Sequence, residues 1–73
     1  MILPHGLMEI HLHGRDHDIK LVVESPETVR QVLVQAGILP STVLVSFENT
    51  ILPHATVLSQ SVKLLVTTVS SGG

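Results

Sequence analysis

The chain has 73 residues, no cysteine and a net charge of −2, and it contains one phenylalanine, Phe47, but neither tyrosine nor tryptophan. This length corresponds to one small domain, and the lack of cysteine excludes disulfides and cysteine-based metal sites. The weak charge argues against direct binding of nucleic acid or of an anionic membrane, and no segment has the length of a membrane span or the features of a signal peptide. We therefore expect a cytoplasmic protein.

The first two predicted elements are strands that form a hairpin. Residues 8–13 alternate apolar and polar side chains, and residues 19–24 repeat this alternation. The link between them is short and rich in glycine and aspartate, which favours antiparallel pairing. The residues expected on the inward face are Met8, Ile10, Leu12, Ile19, Leu21 and Val23.

Residues 25–37 change to a helical period. Ser25 is a suitable N-cap, Pro26 fits the first helical turn, and the Glu27 carboxylate favours the positive end of the helix dipole. Gly37 is a typical residue for the end of the helix. The apolar stripe at helical spacing consists of Val29, Val32, Leu33 and Ala36.

Two further strands are predicted in the second half of the chain. Residues 43–47 form the third strand, with Val43, Val45 and Phe47 facing the helix. A turn at residues 48–49 leads to a short fourth strand near Ile51, and residues 53–61 are irregular, with a one-turn helix or a bridge. Residues 62–68 form the last strand, in which Leu65 and Lys63 face away from Val62, Leu64 and Val66.

This order of elements, followed by Gly72 and Gly73, resembles the β-grasp fold of ubiquitin-like proteins. More narrowly, it is similar to the prokaryotic sulfur carriers of thiamine and molybdopterin synthesis (ThiS/MoaD-like) and to the small archaeal ubiquitin-like modifiers. The matching stretches are "SPETVRQVLVQAGI", "TVLVSFENTILP" and "VKLLVTTVSSGG". The expected fold is α+β, with a four- to five-stranded mixed sheet covered on one face by one main α-helix. A single domain would span residues 1–73, with residues 69–73 as a flexible C-terminal tail.

The resemblance implies that Gly73 carries a reactive carboxylate. Gly72 and Gly73 lack side chains and could pass through a narrow enzyme channel. An E1-like adenylyltransferase of the ThiF/MoeB type would activate the carboxylate with ATP, while the chain itself would bind no cofactor and would not be an enzyme. The product would be a thiocarboxylate for a sulfur-accepting synthase, in thiamine, molybdopterin or tRNA thiolation, or an isopeptide bond to a lysine of a target protein.

Apolar side chains on the outward strand faces form the predicted docking patch for the activating enzyme. The alternation places Leu44, Leu65 and Val22 there. The stretch before the two glycines, "TTVSS", has no basic residue. In this it differs from ubiquitin-type modifiers, which favours recognition through the apolar strands. Lys20 and Lys63 are possible acceptor lysines.

Other chemistry is less well supported by the residues. His11 and His13 share a strand face at a spacing seen in some zinc sites, but no third ligand is fixed by the pattern, so we predict no metal site. A triad of Ser25, His17 and Asp16 or Asp18 would lack a pocket in so small a domain. The alternative function is a non-catalytic β-grasp interaction or zinc-binding module with an inert tail.

Overall fold

The computed structural model describes residues 6–69. Within them, the strands are β1 (Leu7–His13), β2 (Asp18–Glu24), β3 (Glu27–Thr28), β4 (Val43–Phe47), β5 (Thr50–Leu52), β6 (Val57–Leu58) and β7 (Val62–Thr68). The helix α1 spans Val29–Gln35, and a short 3₁₀ turn spans Pro40–Thr42. No helix in residues 6–69 is long and apolar enough to cross a membrane.

Five strands form one mixed sheet in the order β2-β1-β7-β4-β5. β1 pairs antiparallel with β2 and parallel with β7, and β4 pairs antiparallel with both β7 and β5. A second, two-stranded sheet joins β3 to β6. The prediction of a mixed sheet with one main helix is confirmed. β7, the last strand in the chain, lies at the centre of the five-stranded sheet.

The core lies between α1 and one face of this sheet. The inward residues predicted for β1 are all buried, as are Val29, Val32 and Leu33 of α1. Strict alternation in β1 and β7 explains this, since every second side chain of a strand points to the same face. The buried cluster consists of Met8, Ile10, Leu12, Val23, Val29, Val32, Leu33, Ile38, Val43, Val45, Leu58, Leu64 and Val66.

The helix begins later than predicted, and the proposed N-cap Ser25 is wrong. Thr28 is the N-cap, and its hydroxyl oxygen accepts a hydrogen bond from the Gln31 N–H at 3.2 Å. Glu27 belongs to β3, whose partner is β6, so its backbone is extended rather than helical. The Ser25 hydroxyl donates to the Ser59 carbonyl oxygen instead, at 3.1 Å. A pairing with a distant segment has overridden a local helix signal.

The end of the helix is as predicted. Gly37 has a φ of 81°, a left-handed conformation that costs little only for glycine. Its N–H donates to the Val34 carbonyl oxygen at 3.0 Å, and the Ile38 N–H donates to the Leu33 carbonyl oxygen at 2.9 Å. These two bonds form a Schellman motif. The buried Ile38 side chain then anchors the chain as it leaves the helix.

The region around β4, β5 and β6 follows the sequence prediction with one exception. β4 and β7 have the predicted bounds, the turn at Glu48–Asn49 has positive φ at both residues, and residues 53–61 contain the short bridge β6. The exception is Phe47, which was expected to face the helix as a core residue. It is 36% exposed. It ends β4 and lines an open cavity rather than packing under α1.

Candidate functional site

The last described element before Gly72 and Gly73 in the sequence is β7, the central strand of the sheet. β7 pairs with β1 on one side and with β4 on the other. Beyond β7, the Val69 N–H donates to the Thr42 carbonyl oxygen at 2.8 Å. Gly72 and Gly73 themselves lie outside the described residues. The backbone is therefore hydrogen-bonded to the body as far as Val69.

Three exposed aliphatic side chains lie together on the sheet face that α1 leaves uncovered. We term them the outer patch: Leu44, Ile51 and Leu65, with exposed fractions of 42%, 62% and 41%. Ile51 and Leu65 both pair directly with Ser46, one from each side. Leu44 pairs with Thr67 and lies diagonally across from Leu65. Such diagonal neighbours are about 7–8 Å apart, which keeps all three within one contact surface.

The irregular segment after β5 leaves the outer patch uncovered. Leu58, in the middle of this segment, is buried in the core on the side of α1, and β6 pairs with β3. The segment thus adds to the covered face of the sheet. Leu44 and Leu65 remain accessible on the opposite face.

Val22 lies apart from the outer patch. It pairs with Glu9 of β1, whereas Leu65 pairs with His13, further along the same strand. Two strand spacings and this offset together separate Val22 from Leu65 by about 16 Å. The structure brings Leu44 and Leu65 together and leaves Val22 at the sheet edge.

Ile51 is the neighbour that the sequence reasoning missed. The signal was weak because β5 has only three residues, too few to show a clear alternation. The turn at Glu48–Asn49 could have revealed it, since a tight hairpin there pairs Ile51 with Ser46. Directly opposite residues on paired strands share a face, so Ile51 had to follow Leu44 and Ser46 outward.

A polar band borders the outer patch on β1, β2 and β7. His11 pairs with Lys20 on one side and with Lys63 on the other, so both candidate acceptor lysines flank one imidazole. Both lysine side chains are exposed. His11 Nε2 lies 2.7 Å from Asp18 Oδ1. This hydrogen bond, followed by the charge of His11, lowers the pKa of the Asp18 carboxyl below its ordinary value.

The two histidines of β1 stand near each other without forming a metal cluster. The ring centroids of His11 and His13 are 5.7 Å apart. Across residues 6–69, no group of three or more His, Cys, Asp or Glu side chains is arranged to hold a metal ion. His11 instead uses a ring nitrogen to contact Asp18.

The serine triad considered from the sequence is not assembled. Ser25 and His17 flank opposite ends of β2. At the rise of an antiparallel strand they are about 25 Å apart, far beyond the reach of a hydrogen bond. The Ser25 hydroxyl donates to a backbone carbonyl, and Asp18 contacts His11. The described residues therefore offer no activated serine at this position.

Comparisons with known proteins are informative only at the level of structure. No family model matches the chain, and no curated protein matches its sequence. A chain in the crystal structure of a pParkin–pUb–UbcH7 complex superimposes with a TM-score of 0.65 at 20% identity. The match covers 88% of this chain and 23% of that chain, so this protein spans about a quarter of the matched chain's length. This similarity, together with the sheet order and the single covering helix, shows that the chain has the ubiquitin-like β-grasp fold.

Proposed function

We propose that this protein is a ubiquitin-like carrier or modifier that acts through the carboxylate of Gly73. The observation that supports this proposal most strongly is the exit of the chain from β7. A central strand of a ubiquitin-like fold leads through Val69 into a segment of small residues that contains Gly72 and Gly73. The proposal concerns this carboxylate whether translation ends at Gly73 or a peptidase exposes it.

The chemistry explains why such a protein needs an activating enzyme. A carboxylate is a poor acyl donor because its negative charge repels nucleophiles and its oxygen is a poor leaving group. In the proposed first step, a Gly73 carboxylate oxygen attacks the α-phosphorus of ATP and pyrophosphate leaves. A sulfur nucleophile or a lysine amine then attacks the carbonyl carbon and AMP leaves. The chain is the substrate of both steps, and the partner supplies the catalytic groups.

The outer patch is the proposed contact for an E1-like adenylyltransferase of the ThiF/MoeB type. Leu65 lies on β7, which continues into the tail, and Leu44 lies on its neighbour β4, so one partner could hold the patch and receive Gly73 together. Aliphatic side chains exposed as a group commonly mark protein-binding surfaces. Val22, at the far edge, would contact this partner only if the interface extends across the polar band.

The polar band supports a second part of the proposal. Lys20 and Lys63 are exposed and project from the same face as the outer patch, so a conjugating enzyme bound there could reach either amine. In a modifier, these lysines would accept the carboxylate of another copy. In a sulfur carrier, Gly73 would instead deliver its sulfur to a synthase for thiamine, molybdopterin or thiolated tRNA.

Intact mass spectrometry tests the proposal directly. The purified chain ending at Gly73 is incubated with ATP, Mg²⁺, a sulfur donor and the ThiF/MoeB-type enzyme of the same genome. Replacement of one oxygen by sulfur identifies a sulfur carrier, and Gly73–lysine isopeptides without a thiocarboxylate identify a modifier. A variant without Gly72 and Gly73 should give neither product and no ATP–pyrophosphate exchange.

The alternative is an interaction module whose tail is inert, and the outer patch is the observation that favours it. In that case the chain stays a free acid under all these conditions, and pyrophosphate exchange stays at background. A partner would still bind through Leu65, and the variant without Gly72 and Gly73 would bind it as tightly as the parent. This result would overturn the carrier proposal and retain the docking surface.

A further inference from the structure

The strand β2 forms one edge of the five-stranded sheet, and among the described residues no strand pairs with its outer side. All seven of its residues, Asp18–Glu24, pair with β1 in one register without a bulge. The opposite edge, β5, has only three residues. Sheet edges are commonly protected by short strands, prolines or bulges, because unpaired backbone groups attract another strand. β5 is protected by its short length, whereas β2 has none of these devices.

The hydrogen-bond pattern shows which residues of β2 direct their backbone groups to the open edge. The Ser25 N–H donates to the Gly6 carbonyl oxygen at 2.8 Å, at the end of the ladder between β1 and β2. Alternate residues of an antiparallel strand direct N–H and C=O toward the same neighbour, so the odd-numbered residues of β2 bond to β1. The residues that point these groups to the open edge are Asp18, Lys20, Val22 and Glu24.

The side chains along this edge are complementary to a second copy of the same strand. Val22 is 49% exposed, and Lys20 and Glu24 are exposed on the same face. If two β2 strands run antiparallel with Val22 opposite Val22, each Lys20 lies opposite the Glu24 of the other copy. Two apolar side chains or two opposite charges placed directly across a strand pair stabilise it.

Charge selects this register over its nearest alternative. A shift that places Leu21 opposite Leu21 also satisfies the backbone pattern, but it puts Asp18 opposite Glu24 at both ends of the pair. Like charges directly across two strands are destabilising. With Val22 opposite Val22, Asp18 lies opposite Pro26, which has no N–H, so the pairing ends there.

We propose that β2 pairs with β2 of a second copy of this chain, with Val22 at the two-fold axis and Lys20 opposite Glu24 on both sides. Two five-stranded sheets then become one sheet of ten strands. Because the axis is perpendicular to the sheet, both outer patches lie on the same face of the dimer. Val22, which lies apart from the outer patch, thereby gains an apolar partner.

The dimer is expected to be weak. Only residues 20–24 of each copy pair, so the buried area is smaller than the roughly 1,200 Å² of a stable interface. We expect dissociation constants on the order of 0.1–1 mM. The inference does not depend on the proposed function, because neither Gly73 nor Leu65 takes part in this contact.

Charge exchange across the pair tests the proposal. Sedimentation velocity of the full chain, from about 10 μM to about 1 mM, measures the dissociation constant. K20E and E24K each place like charges opposite one another twice, so each should raise this constant about tenfold. The double variant K20E/E24K restores opposite charges and should return to the parent value. K63E changes the net charge equally on β7, two strands away, and should leave the constant unchanged.

Isotope-filtered NMR tests the register. In a 1:1 mixture of labelled and unlabelled chain near 1 mM, the Leu21 Hα should give an intermolecular nuclear Overhauser effect to the Val23 Hα, since these residues form the close, non-hydrogen-bonded pairs. An effect between Leu21 and Leu21, or to residues outside β2, would overturn the proposal. So would a monomer at every concentration, or a double variant that dimerises no better than K20E.

Discussion

The two faces of β7 carry similar aliphatic side chains in different environments. Leu64 is fully buried against the core, whereas its neighbour Leu65 is 41% exposed in the outer patch. The two residues have the same chemistry and adjacent positions on one strand, and only the pleat separates them. The fold therefore requires the inner leucine, whereas the outer leucine is available for a partner.

This difference allows stability and recognition to be tested separately on one strand. Buried apolar groups stabilise a domain in proportion to the area removed from water, and a small domain has only a few kcal/mol in reserve. Leu65 keeps 41% of its surface exposed in the folded state, so its replacement removes less buried area than the replacement of Leu64. Substitutions on the outer face should therefore report on binding, and those on the inner face on folding.

The largest expected effect is the loss of stability in L64A. Truncation of a buried leucine removes its packing and leaves a cavity, which costs about 2–5 kcal/mol. Urea denaturation followed by circular dichroism measures the change, with L65A as the matched control. Equal losses in the two variants would show that the two faces of β7 do not differ as described.

The next effect concerns the close contact between β1 and β7. A Cβ atom added at Gly14 would clash with the Val66 carbonyl oxygen. Because both atoms belong to backbone or lie next to it, the strands must separate, and we expect G14A to lose about 1–3 kcal/mol. Thermal denaturation measures this loss. G6A is the control, since a Cβ there would meet no atom within 4 Å, although its positive φ adds a smaller strain.

A moderate effect is expected on the outer face, in activity rather than stability. L65S should lower kcat/KM for ATP–pyrophosphate exchange with the activating enzyme about tenfold, which corresponds to about 1.4 kcal/mol of lost contact. V34S, on the solvent face of α1, removes an exposed aliphatic side chain of similar size and should keep the parent rate. An unchanged rate in L65S would exclude the outer patch from the contact with this enzyme.

The smallest expected effect is on how the free energy of unfolding changes with pH under acidic conditions. The contact with His11 lowers the pKa of Asp18 below its ordinary value of 3.8 in the folded state. The unfolded chain therefore binds this proton more readily, so the contribution is present above pH 3.8 and is lost as the pH falls through the folded pKa. Between about pH 5 and pH 2, the free energy of unfolding of D18N should change less with pH than that of the parent, as measured by urea denaturation. An identical slope in D18N and the parent would contradict the assignment.

Local patterns predicted most of the elements. The bounds of β4 and β7, the inward residues of β1, and the end of the helix at Gly37 follow from alternation and from the conformational freedom of glycine. These signals depend on neighbours within a few residues, which the sequence displays directly. Local alternation likewise predicts that Leu65 and Leu64 lie on opposite faces of β7.

The start of the helix required information from a distant segment. Ser25, Pro26 and Glu27 form a plausible helix start, yet Glu27 pairs with Leu58 as part of β3 and β6. Phe47 likewise follows the alternation of β4, but α1 does not extend far enough to cover it. In both cases the outcome depends on a segment that is distant in the sequence: β6 pairs with Glu27, and α1 does not cover Phe47.

By itself, the amino-acid sequence determined the strand faces, the helical stripe, the turn positions and the presence of Gly72 and Gly73, because each depends on residue type and short-range spacing. Tertiary structure alone decided that β7 lies between β1 and β4, that Ile51 rather than Val22 joins Leu44 and Leu65, and that a cavity remains beside Phe47. These features depend on strand order and register, which arise from pairing between distant segments. Which strands become neighbours is set by packing of the whole core.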